Sequence, residues 1–252
     1  MTVFIETDLE GISGVSTIDM VANSDPRALE RLMADTNAAV RGAFAGGADR
    51  VLVLDGHGGG RNFLPSLLDP RAVQVRDVAL DGVDAVFLVG AHAMAGTQNA
   101  FLDHAQSSVS WHNYTINGRR YGESGQLAAF AGSRSIPFVM ASGDFAACAE
   151  CLSLFGRMET APVKTADGRN RAHCLPDGEA EDLIFEAARR AIALIPEKRP
   201  FRVILPAEIA VEFNRTDYAD AAMDRHPDAE RLDPRTVRRV IREIREYGDL
   251  LI

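Results

Sequence analysis

Three short apolar runs, each ending in acidic residues or histidine, constrain this chain more than any other feature. Thr2–Thr7 is β-prone and leads into Asp8-Leu9-Glu10-Gly11. Arg50–Leu54 ends in Asp55-Gly56-His57-Gly58-Gly59-Gly60, and Ala85–Val89 ends in Gly90-Ala91-His92. Helical stretches separate such runs. Asp25–Ala45 has Pro26 suited to a first-turn position and Gly46-Gly47 as a stop. Gly125–Gly132 and Asp144–Leu154 also read as helix, with a strand at Pro137–Ala141 between them. Strands alternating with helices specify βαβ units and a largely parallel sheet. Ser108–Tyr121 differs: its alternating residues and Asn117-Gly118 turn predict a β-hairpin inserted in the α/β pattern. Glu179–Ile195 reads as a long amphipathic helix ended by Pro196. Beyond the Pro196–Pro200 loop, Phe201–Leu205 and Ile209–Phe213 read as strands and Pro234–Tyr247 as a closing helix. The expected class is therefore α/β: a mostly parallel sheet flanked by helices, with an inserted β-hairpin and a smaller α+β C-terminal portion. The expected division is 1–195 as the main α/β domain and 196–252 as a C-terminal subdomain packed on it, if the two are not one continuous domain.

Composition excludes several classes. The 252 residues carry a formal net charge of −9, a poor match to nucleic acid or an anionic membrane surface. The five arginines between Arg235 and Arg245 alternate with Val237, Val240, Ile241 and Ile244, the pattern of the solvated side of an amphipathic helix. Three cysteines are too few for a disulfide framework and point to a reducing compartment. Cys148-x-x-Cys151 lies in an Ala-rich helical stretch with no second pair, so packing is a better reading than redox chemistry or zinc. The N-terminus has three acids in ten residues and no basic segment followed by a long apolar one. No apolar run is long enough to span a bilayer. A cytoplasmic location is the expectation.

The strand ends carry the chemistry. Alternate residues of a strand share a face, so Glu6, Asp8 and Glu10 are expected to point one way. Adjacent carboxylates repel unless protonated or bridged by a cation. An Asp-x-Glu pair alone is weak, since an acidic strand end in solvent would look the same. His57 and His92 change the balance, because ligands in open α/β sheets bind beyond the carboxyl ends of the strands. Three independent strands thus deliver carboxylate, imidazole and imidazole to one rim, a donor set suited to zinc or manganese. Glu123, in Gly122-Glu123-Ser124-Gly125, either complements a helix dipole or turns inward as a ligand. His104, twelve residues after His92, is a candidate general base or acid, with the neighbouring Asp103 able to orient it. His112 adjoins Trp111 in the hairpin, where packing and substrate contact are both open; His173 and His226 read as surface residues. The Gly58-Gly59-Gly60 run lacks phosphate-loop spacing and is expected to let backbone pass close to a crowded metal centre.

These motifs together resemble the D-aminopeptidase (DppA-like) family of metallopeptidases. The resemblance lies in Asp8-Leu9-Glu10-Gly11-Ile12-Ser13-Gly14, Asp55-Gly56-His57, Gly90-Ala91-His92 and Gly122-Glu123. It extends through Ile116-Asn117-Gly118, Ser142-Gly143-Asp144, Val163-Lys164, Gly168-Arg169 and Arg231-Leu232-Asp233, nearly the whole chain. It implies a site of two divalent metal ions, with zinc as the expected metal, and removal of N-terminal D-amino acids from short peptides. By the same resemblance Asp8 bridges the metals, Glu10, His57, His92 and Glu123 complete the ligands, and His104 is the catalytic histidine. A ring-like homo-oligomer is implied, with a decamer as one such form. Two features depart from the family pattern: Glu6 stands where Ser is common, and His104 lies between Asp103 and Ala105. A metal-dependent amidase or deacylase on a small non-peptide amide is the alternative enzyme, a phosphoesterase a third. A non-catalytic metal-dependent binding or assembly module is the alternative of another class.

Overall fold

The computed structural model describes residues 1–252. In chain order the elements are β1 (Thr2–Thr7), α1 (Ile18–Ala22), α2 (Pro26–Gly46), β2 (Arg50–Asp55), β3 (Ala72–Val75), β4 (Ala85–Ala91), β5 (Trp111–Ile116), β6 (Arg119–Arg120) and α3 (Glu123–Ser133). They continue with β7 (Phe138–Asp144), α4 (Phe145–Phe155), β8 (Glu159–Ala166), β9 (Ala172–Cys174), α5 (Asp177–Leu194), β10 (Ala207–Phe213), α6 (Thr216–Arg225), β11 (Glu230–Arg231) and β12 (Thr236–Ile241).

Seven strands form one sheet in the order β3-β2-β1-β4-β7-β8-β9, parallel except for the β8–β9 pair. Its central runs are continuously apolar because both faces are covered. Val3, Ile5, Val51, Val53, Phe87 and Val89 pack under α2 and α5, while Phe4, Leu52, Leu54, Val86 and Leu88 pack toward a second sheet. The α2 helix begins as its sequence dictates, with Pro26 in the first turn and the Asp25 side chain accepting from the Arg27 amide.

The register of the central strands places the site. Thr7 pairs with Asp55 on β2 and with Val89 on β4, so β1 and β2 end level and β4 runs on to Ala91. The chain runs outward from β1 through β2 to β3, then returns to β4 on the other side of β1. That reversal is a topological switch point, where the carboxyl ends of parallel strands open a crevice.

The second sheet is antiparallel, in the order β11-β12-β10-β5-β6. The hairpin expected from Asn117-Gly118 is present, with φ +51° and +74° at the two turn residues. It pairs with β10, a strand about 90 residues later, so residues from two distant stretches share one sheet.

Two expectations for the C-terminal region fail. The expected helix over Pro234–Tyr247 is instead strand β12 followed by irregular chain. Val237 and Ile241 are both buried, and a spacing of four satisfies helix and strand alike. Val240, which a helix would bury with them, is 53% exposed. The arginines pair across strands: Arg238 with Glu208 at 2.8 Å and Arg235 with Glu212 at 2.7 Å. Phe201–Leu205 forms no strand. Phe201 instead seats its ring between Tyr121 and Phe155, 5.8 and 5.2 Å away. Strands β3 and β8 and helix α6 were not anticipated.

Close backbone approach joins β1 to β4. Gly90 has φ +87°, and a Cβ there would lie 2.0 Å from the Asp8 carbonyl oxygen. Gly90→Ala is therefore expected to destabilise the fold by about 2–4 kcal/mol, combining left-handed strain with overpacking. Gly58→Ala, at φ +55° but in open space, should cost only about 1 kcal/mol. Denaturant melts of both variants check the difference; equal losses would refute the close-approach argument.

Candidate metal centre

Asp8 is the hub of the site. Its amide donates to the Val89 carbonyl at 2.8 Å, one step beyond the last β1–β4 ladder pair. A turn then carries the chain to Gly11, whose amide donates to the Gly90 carbonyl at 2.8 Å. Glu10 therefore reaches the site through this turn and not through the alternation of a strand, since β1 ends at Thr7. Behind the turn, the buried Lys164 ammonium donates to the carbonyls of Glu10 and Val15, each at 2.6 Å. Burial pushes Lys164 down to about 8.

The loop after β2 presents His57. The Asp55 carboxylate accepts from the amides of Asn62 and Phe63, and the Asn62 side chain donates to the His57 carbonyl at 2.7 Å. Asp55 thus closes the loop and leaves the metal chemistry to its neighbours. Gly58, Gly59 and Gly60 all have positive φ, and a Cβ at Gly58 or Gly59 would meet nothing within 4 Å. These two glycines serve backbone conformation and not close passage, whereas a Cβ at Gly60 would lie 3.1 Å from the Asp55 carbonyl oxygen.

His92 follows β4 and is almost fully buried. Its Nδ1 lies 3.1 Å from the Ala93 carbonyl, which can only accept, so Nδ1–H donates and Nε2 is left to face the site. His104 is held the same way, with Nδ1–H donating to the Leu102 carbonyl at 2.7 Å. Leu102 is itself buried at φ +51°, a conformation costly for a bulky residue. The His92 and His104 rings stack 3.9 Å apart. Asp103 does not orient His104; it binds Arg169 at 3.1 Å and the Gly96 amide at 2.6 Å. Glu123 opens α3 and turns inward, and its Oε1 accepts from the Gln106 amide at 2.7 Å.

The structure thus brings Asp8, Glu10, His57, His92, His104 and Glu123 together. Asp8 Oδ1 lies 3.0 Å from His57 Nδ1, and Asp8 Oδ2 lies 3.2 Å from His92 Nε2. Glu10 Oε2 is also 3.0 Å from His57 Nδ1, and Glu123 Oε1 is 3.2 Å from His92 Nε2. His104 Nε2 stands 3.9 Å from Glu10 Oε1 and 3.7 Å from Glu123 Oε1. Two three-donor sets share Asp8, one oxygen each.

This donor set fits divalent cations. Ligands about 2.0–2.1 Å from a tetrahedral metal stand about 3.3 Å apart, close to the 3.0–3.2 Å separations here. One Nδ1–H cannot serve both Asp8 and Glu10, and the buried Glu10 Oε2 is left without a donor. Protonation follows the same crowding. Burial and the charges of Glu123 and Asp8 push Glu6 up to about 8. Burial alone would lower His57, but the Asp8 and Glu10 carboxylates outweigh it and raise it to about 11. Burial would raise Asp8, yet His57 and His92 hold it well below the usual carboxylate range. Burial would lower His92 as well, but the Glu123 and Asp8 carboxylates raise it well above the usual imidazole range.

The cluster floors a cleft of about 1340 Å³. Glu246 and Tyr247 from the C-terminal tail also line it, and no local pattern marked them. Tyr247 arrives by packing edge-on against Phe130 of α3, with its hydroxyl donating to Gln126 at 3.3 Å. His112, His173 and His226 stay outside the cluster: His112 is exposed on β5, His173 lies 3.8 Å from Asp167 at the surface, and His226 ends α6. Cys148 and Cys151 are buried thiols in α4, both raised by burial, Cys148 to about 12. No helix is long and apolar enough to cross a membrane.

Both the sequence and the fold are similar to known proteins. The Peptidase_M55 family, D-aminopeptidase, matches residues 1–251. A D-aminopeptidase of Bacillus subtilis (strain 168) is 30% identical over 237 residues, covering 87% of this chain and 85% of the relative. A solved structure described as the Zn-dependent D-aminopeptidase DppA from Bacillus subtilis, a self-compartmentalizing protease, superimposes with a TM-score of 0.90 at 26% identity. That match covers 99% of this chain and 95% of the other. The chain belongs to the D-aminopeptidase family.

Proposed function

We propose that this protein is a zinc-dependent aminopeptidase that removes N-terminal D-amino acids from short peptides. The observation that carries the reading is the Asp8 carboxylate, with one oxygen 3.0 Å from His57 and the other 3.2 Å from His92. In this reading Asp8, Glu10, His57, His92 and Glu123 would hold two divalent ions. Bound ions supply Lewis acidity that polarises the scissile carbonyl and acidifies a water.

The chain's own groups do the rest. The Leu102 carbonyl keeps the proton on His104 Nδ1, so Nε2 is the free base. His104 Nε2 takes a proton from the attacking water and returns it to the departing amine, which conserves protons over the cycle. The acidic cleft, with Glu6, Asp77 and Glu246 beyond the ligands, receives the substrate's ammonium end. A non-catalytic module would have no use for a base set in this position. The Bacillus subtilis relative is described as self-compartmentalizing, which supports a ring-like homo-oligomer here, with a decamer as the size to test by light scattering. A cytoplasmic location belongs to the same proposal.

Asp8→Ala is expected to lose bound zinc and to drop hydrolysis of D-alanyl dipeptides to background, read by metal analysis and product assay. His104→Ala should keep its metal while turnover falls about 10²–10⁴-fold; unchanged turnover would leave a binding module as the better reading. Metal binding must displace the proton that the carboxylates hold on His57 up to about 11. Apparent metal affinity should therefore fall as pH falls, by about tenfold per unit for each proton displaced. Calorimetry in buffers of different ionisation enthalpy measures the protons released, and an affinity flat between pH 6 and 8 would contradict the assignment. L-alanyl counterparts of the same peptides should be poor substrates; equal rates would remove the stereochemical part of the proposal, and cleavage confined to non-peptide amides would favour the amidase.

A further inference from the structure

His104 lines two cavities. One is the metal cleft; the other is a separate cavity of about 490 Å³. That volume is within the range of small-molecule sites. Opposite charge distinguishes the two. The metal cleft is lined by seven carboxylates against a single arginine, Arg76. The second cavity has two arginines, Arg120 and Arg169, against a single carboxylate, Asp103. That carboxylate is already used on both oxygens, by Arg169 and by the Gly96 amide.

Arg120 is different from the other cation. It makes no ion pair within 4.0 Å and donates only to the Ala95 carbonyl. The absence of a side chain at Gly96 leaves space for it, since a Cβ there would lie 3.0 Å from Arg120 Nη2. A guanidinium has five N–H donors arranged to grip a carboxylate in two places. Here a backbone carbonyl fixes its direction and most of those donors remain free. Trp111, Asn113 and Asn214 complete a wall with aromatic and amide surface.

We propose that this cavity binds the free C-terminal carboxylate of the peptide substrate, with Arg120 as the group that recognises it. The inference rests on the peptidase reading above. The ammonium end then enters the acidic cleft, the carboxylate end enters the arginine cavity, and the scissile bond lies beside the one histidine they share. A chain of two or three residues spans roughly 7–11 Å, so this polarity selects very short peptides with free ends. Peptide amides lose the charge-assisted contact.

The test compares D-alanyl-glycine with D-alanyl-glycinamide on the zinc-loaded, full-length protein. The free acid is expected to be favoured about 10–100-fold in kcat/KM, carried mainly by KM. In Arg120→Gln the acid-to-amide ratio should collapse to about 1, while Arg120→Lys should restore part of it. A wild-type ratio near 1, or a ratio unchanged in Arg120→Gln, would overturn the proposal. A binding arm separates this outcome from failure of the peptidase reading. The uncleavable analogue, with CH2–NH in place of the scissile amide, is titrated calorimetrically as acid and as amide. A 10–100-fold preference for the acid that is lost in Arg120→Gln supports the carboxylate site even if neither peptide is cleaved; equal binding overturns it even if both are.

Discussion

Four carboxylates crowd one cleft in this protein: Glu6, Asp8, Glu10 and Glu123 all line it. Two like charges 4 Å apart repel by about 4 kcal/mol at an effective dielectric of 20. The cluster persists because each oxygen of Asp8 faces an imidazole, and because the backbone carrying it is held from behind. Lys164 grips the carbonyl of Glu10 from beneath the turn, and Asp55 ties down the loop that carries His57. These anchors contribute no ligand. They keep each set of donors at separations suited to a cation when electrostatics alone would drive them apart.

The same need explains the unusual backbone around the site, which is strained at Leu102. Gly90 sits against the Asp8 carbonyl, and Leu102 adopts a left-handed conformation that aims its carbonyl at His104 Nδ1. That hydrogen bond sets the tautomer of His104. Strain of this kind survives only where surrounding packing over-determines the conformation. Leu102 is buried in the apolar core, and its amide donates to the Arg169 carbonyl at 2.8 Å.

Charge is arranged by function along a line through His104. Acidic groups lie on the metal side and arginines on the other. A zwitterionic peptide laid across such a field has a preferred direction before any shape-specific contact is made. The second sheet is what makes this possible. Its hairpin carries Trp111, His112, Asn113 and Arg120 to one side of His104, and the C-terminal tail carries Glu246 and Tyr247 to the other.

Local patterns in the sequence were enough to read the alternation of strands and helices, the Asn117-Gly118 hairpin, and the strand ends bearing Asp8, His57 and His92. Periodicity and turn chemistry are written into neighbouring residues, so they are legible without the fold. Glu10 joins the cluster, though it arrives by a turn and not by the strand alternation expected of it. The tail was misread because Val237 and Ile241 stand four apart, a spacing common to helix and strand; only pairing with β10 decides between them. Asp103 beside His104 suggested an orienting acid, yet the chain turns it toward Arg169. The inward turn of Glu123, the tautomer of His104 and the joining of hairpin to C-terminus depend on contacts between residues far apart in the chain. Sequence by itself determined which donors end the central strands. Tertiary structure alone decided how far apart they stand and what surrounds them, because distances between remote residues are set by packing and register, not by spacing along the chain.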